Sequence, residues 1–371
     1  MDQNTAKTLF EQGATLVILD FPANMEFGID LDTFATGPKF SGVKMIPPGI
    51  HLIHYSMASA GQHGMRCSLV HDFAQRELVV RKWDRASEQL ACVGSEDVDR
   101  IRMGIRSIEP GLGAYPMMGE GVRLSCSRWR RLSSHITQQT IGRVLPPQGC
   151  FSSATGSFYE DEEMERARAQ LAKGSVGVEE HPVDALDRFE FSRIDIRHSF
   201  PKNAAPATIR QLSLDKSWLL QKSLAEIWDT PRELLGEFQL AFLIIMVGQN
   251  FSGLEHWKRL MHLVLGSKGL LETTAEPFVS MLRILRAQLA ECPRDFVFMV
   301  FDQDNFVASI LSTFVLSLYE CPGDHVELDK EVNELRELLA KLFEIHLPLG
   351  EQLQQEADVE VGEYAPQVVD L

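Results

Sequence analysis

The chain has no paired cysteines, no long apolar run and too little positive charge to balance its acids. Its six cysteines, Cys67, Cys92, Cys126, Cys150, Cys292 and Cys321, are scattered, with no CxxC and no zinc-ligand spacing. That pattern predicts reduced thiols in an intracellular protein rather than a disulfide framework. The longest apolar run, Leu240 to Val247, is far short of the ~20 residues a membrane span needs. Met1-Asp2-Gln3-Asn4 has no basic region leading into an apolar core, so no secretory signal is expected. Lys and Arg total 36 against 52 Asp and Glu, a net charge of -16. With a pI near 5.2, such a surface repels phosphate backbones, which makes the whole chain a poor generic nucleic-acid binder. It favours solubility and basic protein partners.

Catalytic signatures are absent too. Gly111-Leu-Gly113-Ala-Tyr-Pro116 approaches GxGxxG, but Pro116 replaces the third glycine and no βαβ context surrounds it. There is no phosphate-binding P-loop and no GxSxG elbow. His51 and His54 are three apart in a strand-like run, which sends them to opposite faces rather than to one metal. Asp302-Gln-Asp304-Asn305 opens like a calcium loop, but Phe306 and Val307 stand where the fifth ligand and the glycine belong. No catalytic residue, cofactor or metal is expected.

What is present is ordinary globular composition, 44% hydrophobic and 24% charged over 371 residues. That length suggests about two domains. Asn4 can cap a short helix that stops at Gly13. Thr15–Phe21, Glu26–Ile29, Met65–Phe73 and Glu77–Trp83 read as strands, with Gly61-Gln62-His63-Gly64 as a loop. Between Gly37 and Ser56, Gly37-Pro38 and Pro47-Pro48-Gly49 punctuate two further strand-like runs. So many short strands predict a sandwich or barrel-like domain.

Helices follow. Ser95 is a candidate cap for a helix carrying Val98, Ile101, Ile105 and Ile108. A second helix is expected from about Val122 to Leu145. It carries Arg123, Arg128, Arg130, Arg131 and Arg143, a basic face in an acidic chain. That face could contact RNA or an acidic protein; otherwise it is the solvated side of an amphipathic helix. From Gln148 to Asp184, Ser, Gly and charged residues dominate, including Glu160-Asp161-Glu162-Glu163, as in a linker. Phe189, Phe191, Ile194 and Ile196 suggest an extended segment that can fold back onto the β-domain. Beyond Ala204 nearly everything is helical. Thr230–Glu233 and Thr273–Glu276 read as capping boxes, Asp302 or Asp304 as a cap, and Leu328, Val332, Leu335, Leu339 and Leu342 mark the last helix. Leu235-Gly236 followed by Trp257 faintly resembles a tetratricopeptide pair, but no copy recurs at the required spacing.

The resulting expectation is α+β with two domains: 1–150 β-rich with a helical appendage, 151–185 a flexible acidic linker, 186–348 helical (186–201 extended), and 349–371 a tail.

Several of these stretches carry a resemblance. Val17-Ile18-Leu19-Asp20-Phe21-Pro22, Glu26-Phe27-Gly28-Ile29-Asp30 and Gly37–Ser56 look like the N-terminal signature of the Aar-two family of U-five snRNP assembly factors. Leu234–Phe242 with Glu255-His256-Trp257-Lys258-Arg259-Leu260 looks like its C-terminal signature. Asp295-Phe296, Gln303–Phe306 and Tyr364–Leu371 are also similar, whereas the linker and Gly61–Arg100 match poorly. The resemblance implies a sandwich-like N-terminal domain and a VHS-like helical domain. It implies a non-enzymatic chaperone, cytoplasmic and nuclear, without cofactor, membrane or direct nucleic-acid contact. Its implied partner is Prp-eight, through the RNase H-like and Jab/MPN-like domains, together with other U-five snRNP components. Binding would delay docking of the Brr-two helicase. Family tails add strands to Prp-eight, which implies partner contacts at Tyr364, Pro366, Val368, Val369 and Leu371. Their β-branched and apolar side chains suit an added strand. The alternative is an RNA-binding module on the helix Arg123–Arg143.

Overall fold

The computed structural model describes residues 3–59, 62–115, 122–157, 188–196, 198–293 and 306–354. Contacts divide the chain into two units: residues 1–192 with 239–254, and residues 193–238 with 255–371.

The first unit opens with α1 (Gln3–Gln12), then eight strands: β1 (Ala14–Leu19), β2 (Glu26–Ile29), β3 (Asp32–Ala35), β4 (Gly42–Ile46), β5 (Gly49–Ser59), β6 (Gln62–Phe73), β7 (Leu78–Asp84) and β8 (Gln89–Cys92). Next come α2 (Ser95–Ile108), β9 (Leu112–Ala114), α3 (Val122–Ser133), α4 (Gln138–Val144) and β10 (Cys150–Ser152). One sheet runs β8-β7-β1-β4-β9 and the other β10-β6-β5-β2-β3. The second is antiparallel throughout, while the first mixes in parallel pairs, β1 with β7 and β4 with β9.

The β1 sequence shows why the sheets face each other. Leu16 and Ile18 enter a core shared with Phe27 and Ile29 of β2, Ile53 and Tyr55 of β5, and Leu69 and Phe73 of β6. Val17 and Leu19 point the other way and pack with Val80, Leu112 and the half-buried Val98, Ile101, Ile105 and Ile108 of α2. A strand covered on both faces needs a continuous apolar run, and Leu16–Leu19 is one. The 3.6-residue spacing of α2 is thus spent on the outer face of that sheet. Phe21 contacts Phe27, Phe40, Tyr55 and Trp83 edge-on, with centroids 5.5–6.0 Å apart. Such pairs add about 0.5–1.5 kcal/mol beyond area burial. Gly42 sits at φ +129, and an added Cβ would lie 2.0 Å from the Leu16 carbonyl oxygen. Only glycine permits this pairing of β4 with β1.

The structure departs from the sequence expectation at several points. Gln62, His63 and Gly64 are strand, not loop: β6 begins at Gln62, which pairs with Ser59. The short strands β3 and β8 have no sequence counterpart above. The helix cap before α2 is Gly94, with no side-chain hydrogen bond, and Ser95 is already helical. The single basic helix is two helices. Thr137 caps α4 through a reciprocal capping box with Thr140, so the backbone has a favourable restart there. Cys150–Ser152 and Ser157, within the stretch read as linker, belong to the β-domain. β10 pairs with β6, and Ser157 bridges Phe189. Residues 158–187 lie outside the described residues. Phe189 does fold back, packing on Phe151 with centroids 5.2 Å apart. Gln239–Leu254 groups with this unit because Arg66 donates to the Val247 carbonyl at 3.0 Å and the Asn250 amide donates to Ser152 and Thr155 carbonyls at 2.9 and 2.8 Å.

The second unit is helical: α5 (Pro206–Leu214), α6 (Ser217–Glu226), the start of α7 (Pro231–Met246), most of α8 (Phe251–Leu265), α9 (Glu276–Glu291), α10 (Phe306–Glu320) and α11 (Val326–Phe343). The capping box read at Thr273 is not formed. Thr273 donates instead to the Leu270 carbonyl at 3.4 Å, and α9 starts at Glu276 behind Ala275, with Pro277 in its first turn. Pro lacks the N–H a cap would satisfy there. Asp302 and Asp304 lie outside the described residues. Along α11, Leu328, Val332, Leu335 and Leu339 are buried, but Phe343 rather than Leu342 completes the stripe. The residues that close the helical domain are held in place. Leu347 is 5% exposed, and Arg336 donates to the Leu347 and Pro348 carbonyls at 3.0 and 3.1 Å. Residues 350–354 form a further helical turn.

Candidate functional site

The Pro47-Pro48-Gly49 turn joins β4 to β5, and β5 then places His51 against the end of β2. Asp30 follows β2 at φ 59, a left-handed conformation that Asp tolerates better than most residues. Its backbone N–H donates to Leu52 O at 2.7 Å. Its carboxylate turns inward and accepts from three sides. The His51 Nδ1 is 2.7 Å from Oδ2, the Tyr115 hydroxyl donates to Oδ2 at 2.7 Å, and the Leu52 N–H donates to Oδ1 at 3.2 Å. The other His51 nitrogen lies 2.9 Å from the Pro47 carbonyl. Asp30, His51 and Tyr115 are all buried. Trp129 of α3 lies parallel to the His51 ring, with centroids 6.3 Å apart, and donates to the Ile50 carbonyl at 2.6 Å.

His51, Tyr115 and Trp129 line an open cavity of about 360 Å³, with Cys126 and Arg130 also in its walls. Its thiol is not activated as a nucleophile. Burial, with Asp30 nearby, pushes the Cys126 thiol above its ordinary range, so the thiolate is scarce at neutral pH. Burial and the Asp30 carboxylate likewise drive the Tyr115 phenol upward. What the network accomplishes is fixation. Buried polar groups are costly unless paired, and here the pairing ties the signature turn, the end of β2, Tyr115 and α3 into one arrangement.

His54 faces the other way, as the odd offset predicts. It is buried, and its ring packs so closely on Gly28 that an added Cβ would lie 2.2 Å from it. Burial, and then Arg66, lower it to about 3.

In the second unit the signature is also interior. Leu234, Leu235 and Phe238 are buried, and so is Glu237 at 0% exposure. The Trp228 indole donates to Glu237 Oε2 at 2.9 Å, and His256 Nε2 lies 2.7 Å from Oε1. Trp257 stacks on Phe238 and donates to Gln288 Oε1 at 2.9 Å. Sequence reading recognised these residues but not their pairing, because charged side chains inside an apolar helical stretch give no sign of their partners.

The residues expected to touch a partner, Tyr364, Pro366, Val368, Val369 and Leu371, lie outside the described residues. Of the basic set, Arg130 and Arg131 are exposed on α3 and Arg128 is half-buried there, while Arg143 is half-buried on α4. The helix break therefore divides them between two elements. Among the described residues no three His, Cys, Asp or Glu side chains are grouped as metal ligands. Among the same residues no helix is long and apolar enough to cross a membrane.

A β-sandwich-containing unit and a helical unit, each with its signature residues turned inward, define a two-domain α+β protein. The AAR2 N-terminal domain model matches residues 12–146. The AAR2 C-terminal repeat region model matches residues 191–348, although no repeat is evident in the sequence. The chain is 32% identical over 362 residues to Protein AAR2 homolog of Homo sapiens, covering 92% of each chain. Its identity to the Mus musculus homolog is also 32%, with 92% of each covered. To the Caenorhabditis elegans homolog it is 30% over 351 residues, 90% of this chain and 95% of that one. The chain belongs to the AAR2 (Aar-two) family.

Proposed function

We propose that this protein is a non-enzymatic assembly factor of the U-five snRNP. It binds the spliceosomal scaffold Prp-eight through its RNase H-like and Jab/MPN-like domains and delays docking of the Brr-two helicase. Family membership supports the broader role in spliceosome and U-five snRNP assembly. The observation that carries the reading is that the match embraces both domains, at 92% of the chain, rather than one portable module. The inward-turned signatures are consistent with it, since they leave recognition to exposed surfaces and the tail. The protein acts in the cytoplasm and nucleus and needs no cofactor.

Strand addition by residues 358–371 is part of this proposal. An extended tail gains main-chain hydrogen bonds on a sheet edge, and the entropy cost of ordering it keeps the contact reversible. Calorimetry of the full chain against the two Prp-eight domains tests it. Deleting residues 358–371 is expected to weaken binding at least tenfold, about 1.4 kcal/mol. Unchanged affinity would remove the tail from the interface, and no binding by the full chain would remove Prp-eight.

A further inference from the structure

A second, larger cleft of about 630 Å³ opens within the first unit, and it gathers arginines in a strongly acidic protein. Arg81 comes from β7, Arg143 from the last turn of α4, and Arg188 from the extended segment beyond. Their convergence has a structural cause. Glu190 N–H donates to the Val144 carbonyl at 2.9 Å, which lays the Arg188 segment beside the end of α4.

Arg81 is the unusual member. Val79 and Trp83 belong to the core between the sheets, and the two-residue period of a strand puts Arg81 on the same face. Among the described residues its Nη1 reaches only the neighbouring Val80 carbonyl, at 3.2 Å. Its Nε is buried and has no hydrogen-bond partner among the described residues. An orphaned buried donor is costly, and a water, ion or ligand is what satisfies such a group. Arg143 and Arg188 have partners within the chain, which leaves Arg81 as the donor an incoming anion would satisfy. The cleft also holds the carboxylates Asp72 and Glu190, both exposed, while His71 is engaged by Glu77 at 3.1 Å.

We propose that this cleft binds a small phosphorylated molecule, with the Arg81 guanidinium as its anchoring donor. Guanidinium presents a planar fork that matches phosphate oxygens. The cleft lies within the size range of small-molecule sites and far exceeds one phosphate. Net charge selects against a nucleic-acid strand. A polymer leaving the cleft would run over surface of a chain carrying -16, whereas a compact anion meets only the local arginines. This inference is independent of partner binding.

The test is calorimetry of the full-length protein with inorganic pyrophosphate and with adenosine triphosphate. Saturable one-to-one binding is expected for at least one probe, weakened tenfold or more by Arg81→Gln and separately by Arg143→Gln. Circular dichroism and melting of each variant confirm folding, and Arg188→Gln replaces any variant that fails to fold. No saturable heat up to about 5 mM, a free energy weaker than about 3–4 kcal/mol, would overturn the proposal. So would binding that the folded variants leave unchanged. A twelve-nucleotide single-stranded RNA that binds more tightly than either probe, with the same arginine dependence, would overturn it in favour of nucleic acid.

Discussion

The side-chain amide of Gln239 bonds the backbone of His135 across 104 residues of sequence: its Oε1 accepts from the His135 N–H at 2.7 Å. Its Nε2 donates to the Arg131 carbonyl at 2.9 Å. One buried amide therefore takes over a carbonyl at the end of α3 and an N–H in the break before α4. Gln239→Leu keeps the volume and removes both bonds, along with a longer one from Nε2 to Ser134 Oγ at 3.4 Å. It is expected to lower the unfolding free energy by about 2–4 kcal/mol, the usual cost of two buried groups losing a partner. Denaturant titration checks this, and an unchanged midpoint would show that the break holds itself.

Asp30 supports a second test. Asp30→Asn keeps the left-handed backbone accessible but turns an acceptor toward which His51, Tyr115 and the Leu52 N–H all point into a group that is part donor. A loss of about 2–4 kcal/mol is expected. Tyr115→Phe, which removes one donor and leaves the carboxylate with two, should cost less. Equal losses would contradict the idea that the carboxylate is the hub.

His54 predicts a pH dependence. Burial lowers its folded-state value to about 3 from 6.5. The unfolded chain therefore takes up a proton that the native chain refuses as pH falls below 6.5, so stability declines from there toward pH 3 and is complete above pH 7. Between pH 7 and pH 5 the loss from this group is about 2 kcal/mol. Comparing the pH slope of unfolding in wild type and His54→Leu checks it. A variant with the same slope would assign the loss elsewhere.

The basic residues of α3 give a fourth. Arg130 and Arg131 are exposed, and they are expected to be peripheral to the Prp-eight interface. The double change Arg130→Glu with Arg131→Glu should alter that affinity less than tenfold, about 1.4 kcal/mol. A larger loss in a folded variant would raise the alternative of RNA or acidic-surface recognition.

What the sequence disclosed and what it hid divide along the range of the interactions. β1 was legible because both of its faces are apolar, and α2 because Val98, Ile101, Ile105 and Ile108 keep one stripe. β3 and β8 are four residues each, too short for alternation to register. The α3–α4 break was invisible because one of its stabilising groups, Gln239, is remote in sequence. Likewise Arg336 holds Leu347 and Pro348 against α11, an anchor at the end of the helical domain that no local pattern announces. At the candidate site, His51 and His54 were correctly sent to opposite faces, but nothing local connects His51 to Tyr115. Their link through Asp30 exists only once β2, β5 and the residue after β9 have come together.

We propose above that this chain holds Prp-eight before Brr-two does. The direct measurement is affinity capture of the full-length protein from cytoplasmic extract, with RNase treatment and quantitative mass spectrometry. The account predicts Prp-eight as a major partner, retained after RNase, with Brr-two depleted relative to its amount in Prp-eight captured from nuclear extract. Absence of Prp-eight, its loss on RNase treatment, or Brr-two recovered in equal proportion would contradict it.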